Sequence, residues 1–268
     1  MAHPAPNTMA PALFVSHGAP TFALEPGELG PRLAALGRTL AGIRAVLVVS
    51  PHWMTRGVRV MAAPRPATVH DFGGFPEPLY RLDYAAPGTP ELAREALQLL
   101  LAAGFEAALD ERRGRDHGAW VPLLHLLPKA RVPVFQVSLP AGLDTAGALR
   151  LGQALAPLRA RGVLVLGSGS LTHNLYEVGA RAADAPYALA FARWVREAVL
   201  ARDAARLLDY RRLAPFAERA HPTEEHFLPL LVALGATAAS EAARVIEGGI
   251  TYGVLSMESY AWGAPPVD

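Results

Sequence analysis

The chain has 268 residues, of which 51% are hydrophobic and 18% charged, and its formal net charge is +1. A chain of this size and apolar content can bury a large core, while its near-zero net charge supplies no basic surface and excludes nucleic acid as an expected partner. No cysteine is present, so disulfides, thiolate metal sites and cysteine nucleophiles are excluded.

Apolar runs bounded by Gly, Pro or polar residues predict strands that alternate with helices. In the first half of the chain they predict strands at 12–16, 45–50, 58–62 and 105–110 and helices at 28–41, 90–103 and 117–127. In the second half they predict strands at 132–138, from 162 onwards, 243–247 and 253–259 and helices at 145–160, 185–201, 202–209 and 222–234. The alternation predicts one α/β domain over residues 1–268, with a mostly parallel or mixed central sheet and helices on both faces.

The N-terminal end of this pattern carries little regular structure. Residues 1–10 are expected to form a loose arm, because they lack an apolar period. They also lack the charged and apolar regions of a signal peptide, and no apolar run in the chain is long enough to cross a bilayer. We therefore expect a cytoplasmic protein with no membrane partner.

A long segment between two predicted elements, residues 63–90, is rich in Pro, Gly and aromatic residues. Loops of this length without regular structure are uncommon in a compact domain and often form an active-site wall or lid. Together with Trp53, which follows the second strand, its side chains are candidates for lining a substrate pocket. The candidate pocket residues are Trp53, His70, Phe72, Phe75 and Tyr80.

Three predicted strands each lead to a histidine near their carboxyl end, namely His17, His52 and His173. In open α/β sheets the ligand site lies just beyond the carboxyl ends of the strands, so the three histidines are expected to share one site. Imidazole binds borderline transition metals, and iron(II) oxygenases commonly use two histidines and one carboxylate. His17 and His52 supply such a pair.

The third ligand is sought in the segment from Thr223 to His226. Thr223 predicts a helix N-cap, which places His226 in the first turn, where the helix dipole disfavours the imidazolium form. Glu225 is adjacent, but neighbours on a helix point about 100° apart, so only one of the two side chains is expected to reach the metal. The alternative is that the glutamates serve only the helix dipole, which leaves His226 without a role.

The remaining histidines have simpler explanations. His125 falls within an apolar helix and is expected to be a satisfied core histidine, while His70, His117 and His221 lie in loops or at helix starts, where exposure is the default. Motifs for other chemistries are missing: there is no Gly-x-Ser-x-Gly elbow, dinucleotide fingerprint or Walker A lysine.

Seven short segments in this order resemble the class III, or LigB-type, extradiol dioxygenases, in particular the 4,5-DOPA dioxygenase branch. They cover most of the chain, and the string His-Asp-Phe-Gly-Gly-Phe-Pro at 70–76 is specific to this branch. The segments are residues 12–20, 48–53, 70–76, 84–88, 116–120, 170–175 and 222–230.

This resemblance implies a non-haem iron(II) site, which often carries zinc in isolated proteins, and a catechol and dioxygen as substrates. It makes His17, His52 and His226 the metal ligands, with Glu225 kept as an alternative because the wider superfamily commonly uses a glutamate. His173 matches the acid–base histidine and His117 a second histidine of the pocket. A histidine with an ordinary pKa of about 6.5 suits proton transfer in both directions at neutral pH.

Two other classes of function stay open from the sequence. The same ligands could hold zinc in a hydrolase that activates water. The fold could also serve a non-catalytic binding protein, although this chain keeps both acid–base histidine positions, His117 and His173. Oligomeric state is not predicted.

Overall fold

The computed structural model describes residues 9–179 and 183–266, so most of the predicted N-terminal arm lies outside the described residues. The strands are β1 (Ala12–Ser16), β2 (Ala45–Thr55), β3 (Val58–Met61), β4 (Ala107–Asp110), β5 (Val134–Pro140), β6 (Val163–Gly169), β7 (Ala243–Ile246), β8 (Ile250–Thr251), β9 (Leu255–Ser256) and β10 (Ser259–Trp262). The α-helices are α1 (Leu29–Thr39), α2 (Glu77–Tyr80), α3 (Pro90–Ala102), α4 (His117–Leu126), α5 (Thr145–Leu155), α6 (Pro186–Leu200), α7 (Ala204–Leu208), α8 (Tyr210–Leu213), α9 (Ala217–Ala220) and α10 (Leu228–Gly235).

Eight strands form one mixed sheet in the order β4-β3-β5-β2-β6-β1-β10-β7, and β8 and β9 form a separate hairpin. The central strands β5, β2, β6 and β1 run parallel, whereas β10 and β7 pair antiparallel beyond β1. The predicted α/β class with a mixed central sheet is therefore confirmed. The three strands that lead to His17, His52 and His173 are direct neighbours at the centre of this sheet.

The central strands are apolar throughout because both faces of the sheet are covered. Alternate side chains point to opposite faces: Phe14 and Leu47 pack in the layer beneath α5 and α10, while Leu13 and Val48 pack in the layer beneath α1 and α4. Burying one such side chain stabilises the fold by about 1.5–3 kcal/mol. A strand buried on both faces cannot show polar–apolar alternation, which explains its continuous apolar run.

Several predicted boundaries are wrong for identifiable reasons. The helix predicted at 145–160 ends as an α-helix at Leu155 and continues as a 3-10 turn, because Pro157 cannot take part in the interior hydrogen bonds of a helix. The strand predicted at 253–259 is instead the β8–β9 hairpin followed by β10. Its turn has positive φ at Tyr252 (52°) and Gly253 (71°), the geometry of a tight hairpin.

The segment predicted as a pocket wall, residues 63–90, forms a loop that contains only the single turn α2 before α3 begins. The fully buried guanidinium of Arg115 ties its two arms together by donating hydrogen bonds to the carbonyl oxygens of Pro66, Tyr84 and Ala86. Hydrogen bonds from a charged group contribute about 1.5–3 kcal/mol each. The base of the loop is therefore fixed, and its tip is held at the carboxyl edge of the sheet.

Candidate metal centre

His17 and His52 reach the site from the ends of neighbouring central strands in different ways. His17 directly follows β1, and its backbone N–H donates to Gly169 O at the end of β6. His52 lies inside β2, which continues to Thr55 rather than ending at residue 50 as predicted. Between the pairs of Val49 and Met54 the ladder to β5 shifts register, and such a bulge turns side chains out of their regular positions.

Two glycines allow other segments to approach these strand ends. A Cβ at Gly118, in the first turn of α4, would collide with Ser50 Oγ and crowd the ring of His52. A Cβ at Gly169 would collide with the carbonyl oxygen of His226, which also accepts a hydrogen bond from Ser170 N. Because Gly118 and Gly169 have no side chain, the segments that carry His117 and His226 can pack directly against β2 and β6.

Five histidine rings meet at this edge of the sheet. The centroids of His17, His52 and His226 are 5.1–5.5 Å apart in pairs. His117 lies 3.9 Å from His52, and His173 is stacked on His226 at 3.4 Å with an interplanar angle of 9°. The structure thus brings together all five histidines that the sequence assigns to the site.

The hydrogen bonds of Ser168 determine which nitrogen of His17 faces the centre. The single hydroxyl proton of Ser168 is donated to Gly118 O, so Ser168 Oγ accepts from His17 Nδ1 at 2.9 Å. His17 is consequently protonated at Nδ1 and carries a lone pair on Nε2. That Nε2 lies 3.1 Å from His52 Nε2, and two imidazoles bound to one zinc ion at about 2.1 Å in adjacent positions are separated by a similar distance.

His226 has a buried ring nitrogen whose lone pair accepts no hydrogen bond from the described residues. Its Nδ1 lies 3.1 Å from Glu225 Oε1, to which it donates, and its Nε2 is buried with no hydrogen-bond partner among the described residues. An unpartnered buried lone pair is costly in a folded protein unless a ligand satisfies it. A ring held through Nδ1 by a carboxylate and free at Nε2 is the usual arrangement of a metal-binding histidine. The residues present therefore fit a metal ion.

Burial keeps these rings neutral and able to bind metal. It is the main cause that lowers the pKa of His17 and of His226 well below the ordinary value, and the neighbouring histidines lower both further. Burial and then His117 lower the pKa of His52 to about 3, against an opposing effect of Asp71. Burial also lowers the pKa of His173 to about 4, so all four rings are neutral at neutral pH.

Two adjoining sets of side chains within this cluster could hold a metal ion. In one set the donor atoms of His17, His52 and His117 lie within 4.8 Å of one another, and in the other those of His173, Glu225 and His226 do so. The two sets adjoin through the rings of His17, His52 and His226 described above. The second set contains both His226 and Glu225, the two alternatives for the third ligand that the sequence leaves open.

The helix that was expected to position His226 begins later than predicted. Residues 222–227 form turns, and α10 starts at Leu228 with Pro229 in its first turn. A helix starting after Thr223 would place Pro229 in its interior, where the ring breaks the hydrogen-bond pattern. Thr223 therefore caps no helix and donates to Glu225 instead. His226 is neutral because it is buried rather than because of a helix dipole.

A carboxylate that was not singled out from the sequence, Asp71, contacts two of the rings. Its Oδ1 accepts from His117 N at 2.8 Å, and its Oδ2 accepts from His117 Nδ1 at 3.0 Å and lies 3.7 Å from His52 Nδ1. Burial raises the pKa of Asp71, but hydrogen bonds from His117 outweigh it and hold the pKa at about 2. The only signal in the sequence is its place directly after His70 in the loop.

The predicted exposure of His117 and His221 is wrong, because both are buried. His117 begins α4, whose N-cap Asp116 is fully buried and accepts from Ala119 N. His221 donates from Nε2 to Leu171 O, and the neighbouring Ala220 O accepts from His173 N. His221 therefore helps to hold the segment that carries His173. The sequence predicts exposure because it shows only that His221 lies in a loop, and it does not show this contact.

The loop residues predicted to line a pocket lie at different depths. Phe72 is nearest to the histidines, with its ring 5.6 Å from that of His117 and nearly perpendicular to it. Phe75 and Tyr80 pack against Phe72 at 5.4 and 5.3 Å. His70 donates to Leu82 O and lies 5.5 Å from Trp120, so it supports the loop from behind.

Trp53 is the exception among these predicted pocket residues. It is buried in the core layer that also contains Phe135, and the guanidinium of Arg113 lies 5.3 Å from its ring centroid. Neighbouring side chains of an extended chain point to opposite sides. Since His52 points into the site, Trp53 points away from it.

An α/β protein with five buried or half-buried histidines at the carboxyl edge of its parallel strands has a site that could hold a metal ion. Residues 12–261 match the model of a family described as the catalytic LigB subunit of aromatic ring-opening dioxygenase. The chain belongs to this family. It is an extradiol ring-cleaving dioxygenase, and metal dependence is a property of the family.

Individual relatives agree with this assignment. The chain is 39% identical to a 4,5-DOPA dioxygenase extradiol of Beta vulgaris, over 92% of this chain and 94% of the relative. It is 38% identical to the protein of the same name in Escherichia coli K12, over 96% of each. A crystal structure of an uncharacterized Escherichia coli K12 protein superimposes with a TM-score of 0.79 at 32% identity, over 94% of this chain and 99% of that one.

No helix among residues 9–179 and 183–266 is long and apolar enough to span a membrane.

Proposed function

We propose that this dioxygenase cleaves a catechol beside its two hydroxyl groups and uses iron(II) held by His17, His52 and His226, with zinc as the alternative metal of the isolated protein. The observation that carries the ligand set is the buried Nε2 of His226, which has no hydrogen-bond partner in residues 9–179 and 183–266 and whose ring lies 5.1–5.5 Å from those of His17 and His52. His117 and His173 are left as the proton-transferring side chains. A cytoplasmic location remains a prediction from the sequence.

When bound, iron(II) would supply chelation of the two catechol oxygens and the electron exchange that allows dioxygen to react. The remaining steps fall to the side chains of the chain. His173 is neutral, because burial lowers its pKa to about 4, and can take the catechol proton that chelation does not release. Its stacking on His226 places it one ring thickness from a proposed ligand. Phe72 offers an edge-on wall to the aromatic substrate.

A DOPA-like catechol is the proposed substrate class, because the relatives that match over more than nine-tenths of both chains are named for 4,5-DOPA. The test is dioxygen uptake with a panel of catechols, with DOPA among them, after anaerobic loading with iron(II). We expect uptake and a ring-opened product with at least one catechol. A zinc hydrolase or a binding protein would consume no dioxygen with any of them, and that result would overturn the proposal.

The substrate wall provides a separate prediction. Phe72→Ala should raise KM for the preferred catechol by roughly 2- to 10-fold, the worth of one aromatic contact, and leave metal content unchanged. Phe75→Ala is the matched control, because Phe75 touches the wall from its outer side and should have a smaller effect. Steady-state dioxygen uptake and metal analysis provide the two measurements. Unchanged kinetics in both variants across the panel would reduce the loop to a structural cover.

A further inference from the structure

The side chain of Asp71 lies at the tip of the 63–90 loop and faces two histidines from different parts of the chain. Its Oδ2 is 3.0 Å from His117 Nδ1 and 3.7 Å from His52 Nδ1. Its Oδ1 accepts from the backbone N–H of His117, so the carboxylate is bound through both oxygens. The side chain is 21% exposed, and its position is therefore set by these contacts rather than by solvent.

A carboxylate only accepts hydrogen bonds, so both rings that face Asp71 Oδ2 are favoured in the form that carries the proton on Nδ1. The lone pair of each ring is then on Nε2, on the far side from Asp71. For His52 that atom lies 3.1 Å from His17 Nε2, at the centre of the histidine cluster. The hydrogen bond at 3.0 Å sets this tautomer in His117, whereas at 3.7 Å the same oxygen only favours it in His52.

The same loop links this carboxylate to the substrate wall. Phe72, the next residue, has its ring 5.6 Å from that of His117. Arg115 fixes the base of the loop by hydrogen bonds to both arms, and Trp120 Nε1 donates to Val69 O two residues before Asp71. The loop that carries Asp71 is therefore anchored by Arg115 and Trp120, and the carboxylate of Asp71 faces the rings of His117 and His52.

We propose that Asp71 is a positioning residue that sets the tautomer and orientation of His117 and favours the same tautomer in His52, so that both present the lone pair of Nε2 to the metal and substrate. The expected effect on ring cleavage rests on the proposed function. The expected protonation sites of the two rings do not depend on it. Residues that orient metal-binding or catalytic histidines in this way typically contribute 10–100-fold to metal affinity or activity.

Asp71→Asn is the informative variant because it keeps the shape and replaces one acceptor by a donor. The amide can accept from only one of the two N–H groups of His117, so either the backbone contact is lost or the ring must move its proton to Nε2. Glu77→Gln is the matched control: it removes the same charge from an exposed position in the same loop, where Glu77 pairs with Arg81.

The first measurement is long-range ¹H–¹⁵N correlation spectroscopy of the histidine rings, on the metal-free and zinc-loaded protein. In the unmodified protein we expect His117 to carry the proton on Nδ1 in both forms and His52 to do so in the zinc-loaded form, and in Asp71→Asn we expect the His117 signal to change. A proton on Nε2 of His117 in the unmodified protein would overturn the proposal without any variant. This result does not depend on ring cleavage, so it is distinct from a failure of the proposed function.

The second measurement is steady-state dioxygen uptake with the iron-loaded protein. Asp71→Asn should lower kcat by roughly 10–100-fold with a much smaller change in KM, while Glu77→Gln should keep both constants. A rise in KM alone, with the tautomers unchanged, would show that Asp71 merely anchors the loop and would overturn the proposal.

Discussion

His226→Ala is expected to bind less than a stoichiometric amount of metal and to lose ring cleavage with it. The substitution removes a buried Nε2 that has no hydrogen-bond partner within the described residues. His17→Ala and His52→Ala should have the same result, because their Nε2 atoms face each other at 3.1 Å across the centre. Metal content per chain after loading and exhaustive dialysis is the measurement.

Glu225→Ala and His117→Ala are the controls that separate the two sets of side chains able to hold a metal. Glu225 accepts from His226 Nδ1, so its removal should weaken metal binding by roughly 10–100-fold, the usual effect of losing a hydrogen bond to a ligand. His117→Ala should keep the metal. Full metal content in His226→Ala combined with loss in either control would assign the third ligand to that control residue.

His173→Phe is expected to keep its iron and still bind catechol, yet to cleave the ring about 10²–10⁴-fold more slowly, which is the usual contribution of a positioned acid–base group. Phenylalanine preserves a flat ring that can stack on His226, as His173 does at 3.4 Å, but it cannot accept a proton. The loss should be partly relieved at higher pH, where more catechol arrives already deprotonated. Stopped-flow rates and metal analysis test both parts.

A histidine outside the cluster provides the control for this substitution. His125 in α4 is half-buried, donates from Nε2 to Phe22 O and packs on the ring of Phe22. His125→Phe should leave the rate of ring cleavage nearly unchanged. If His173→Ala or His173→Phe loses its metal, His173 is a ligand. If either turns over normally, proton transfer belongs to His117 or to water.

The parts of the site that follow from strand ends could be predicted from the sequence. An apolar run buried on both faces has a recognisable length and composition, and its carboxyl end marks the ligand edge of the sheet. His17 and His173 were placed on this basis. His52 was also assigned to the site, although the sequence does not show that β2 continues to Thr55 through a bulge.

The parts that depend on contacts between distant segments could not be predicted. Asp71 and Ser168 act on His117 and His17 through hydrogen bonds across 46 and 151 residues of sequence. Nothing in the local pattern of either residue indicates its partner. The helix predicted to start after Thr223 is wrong for a local reason. Pro229 lies in the first turn of α10, and the prediction considered only the capping residue Thr223.

The order of strands also determines when a metal can first be held during folding. β1, which leads to His17, is hydrogen-bonded between β6 and β10, so residue Ala12 pairs with both Val165 and Trp262. Contacts between such distant residues form late and slow the folding of the chain. A partly synthesised chain that lacks β6 and β10 has no fixed position for His17 and hence no complete binding site. A metal ion that binds only the folded chain would by mass action stabilise the whole sheet, by about 2.7 kcal/mol when free metal is at 100 times its Kd.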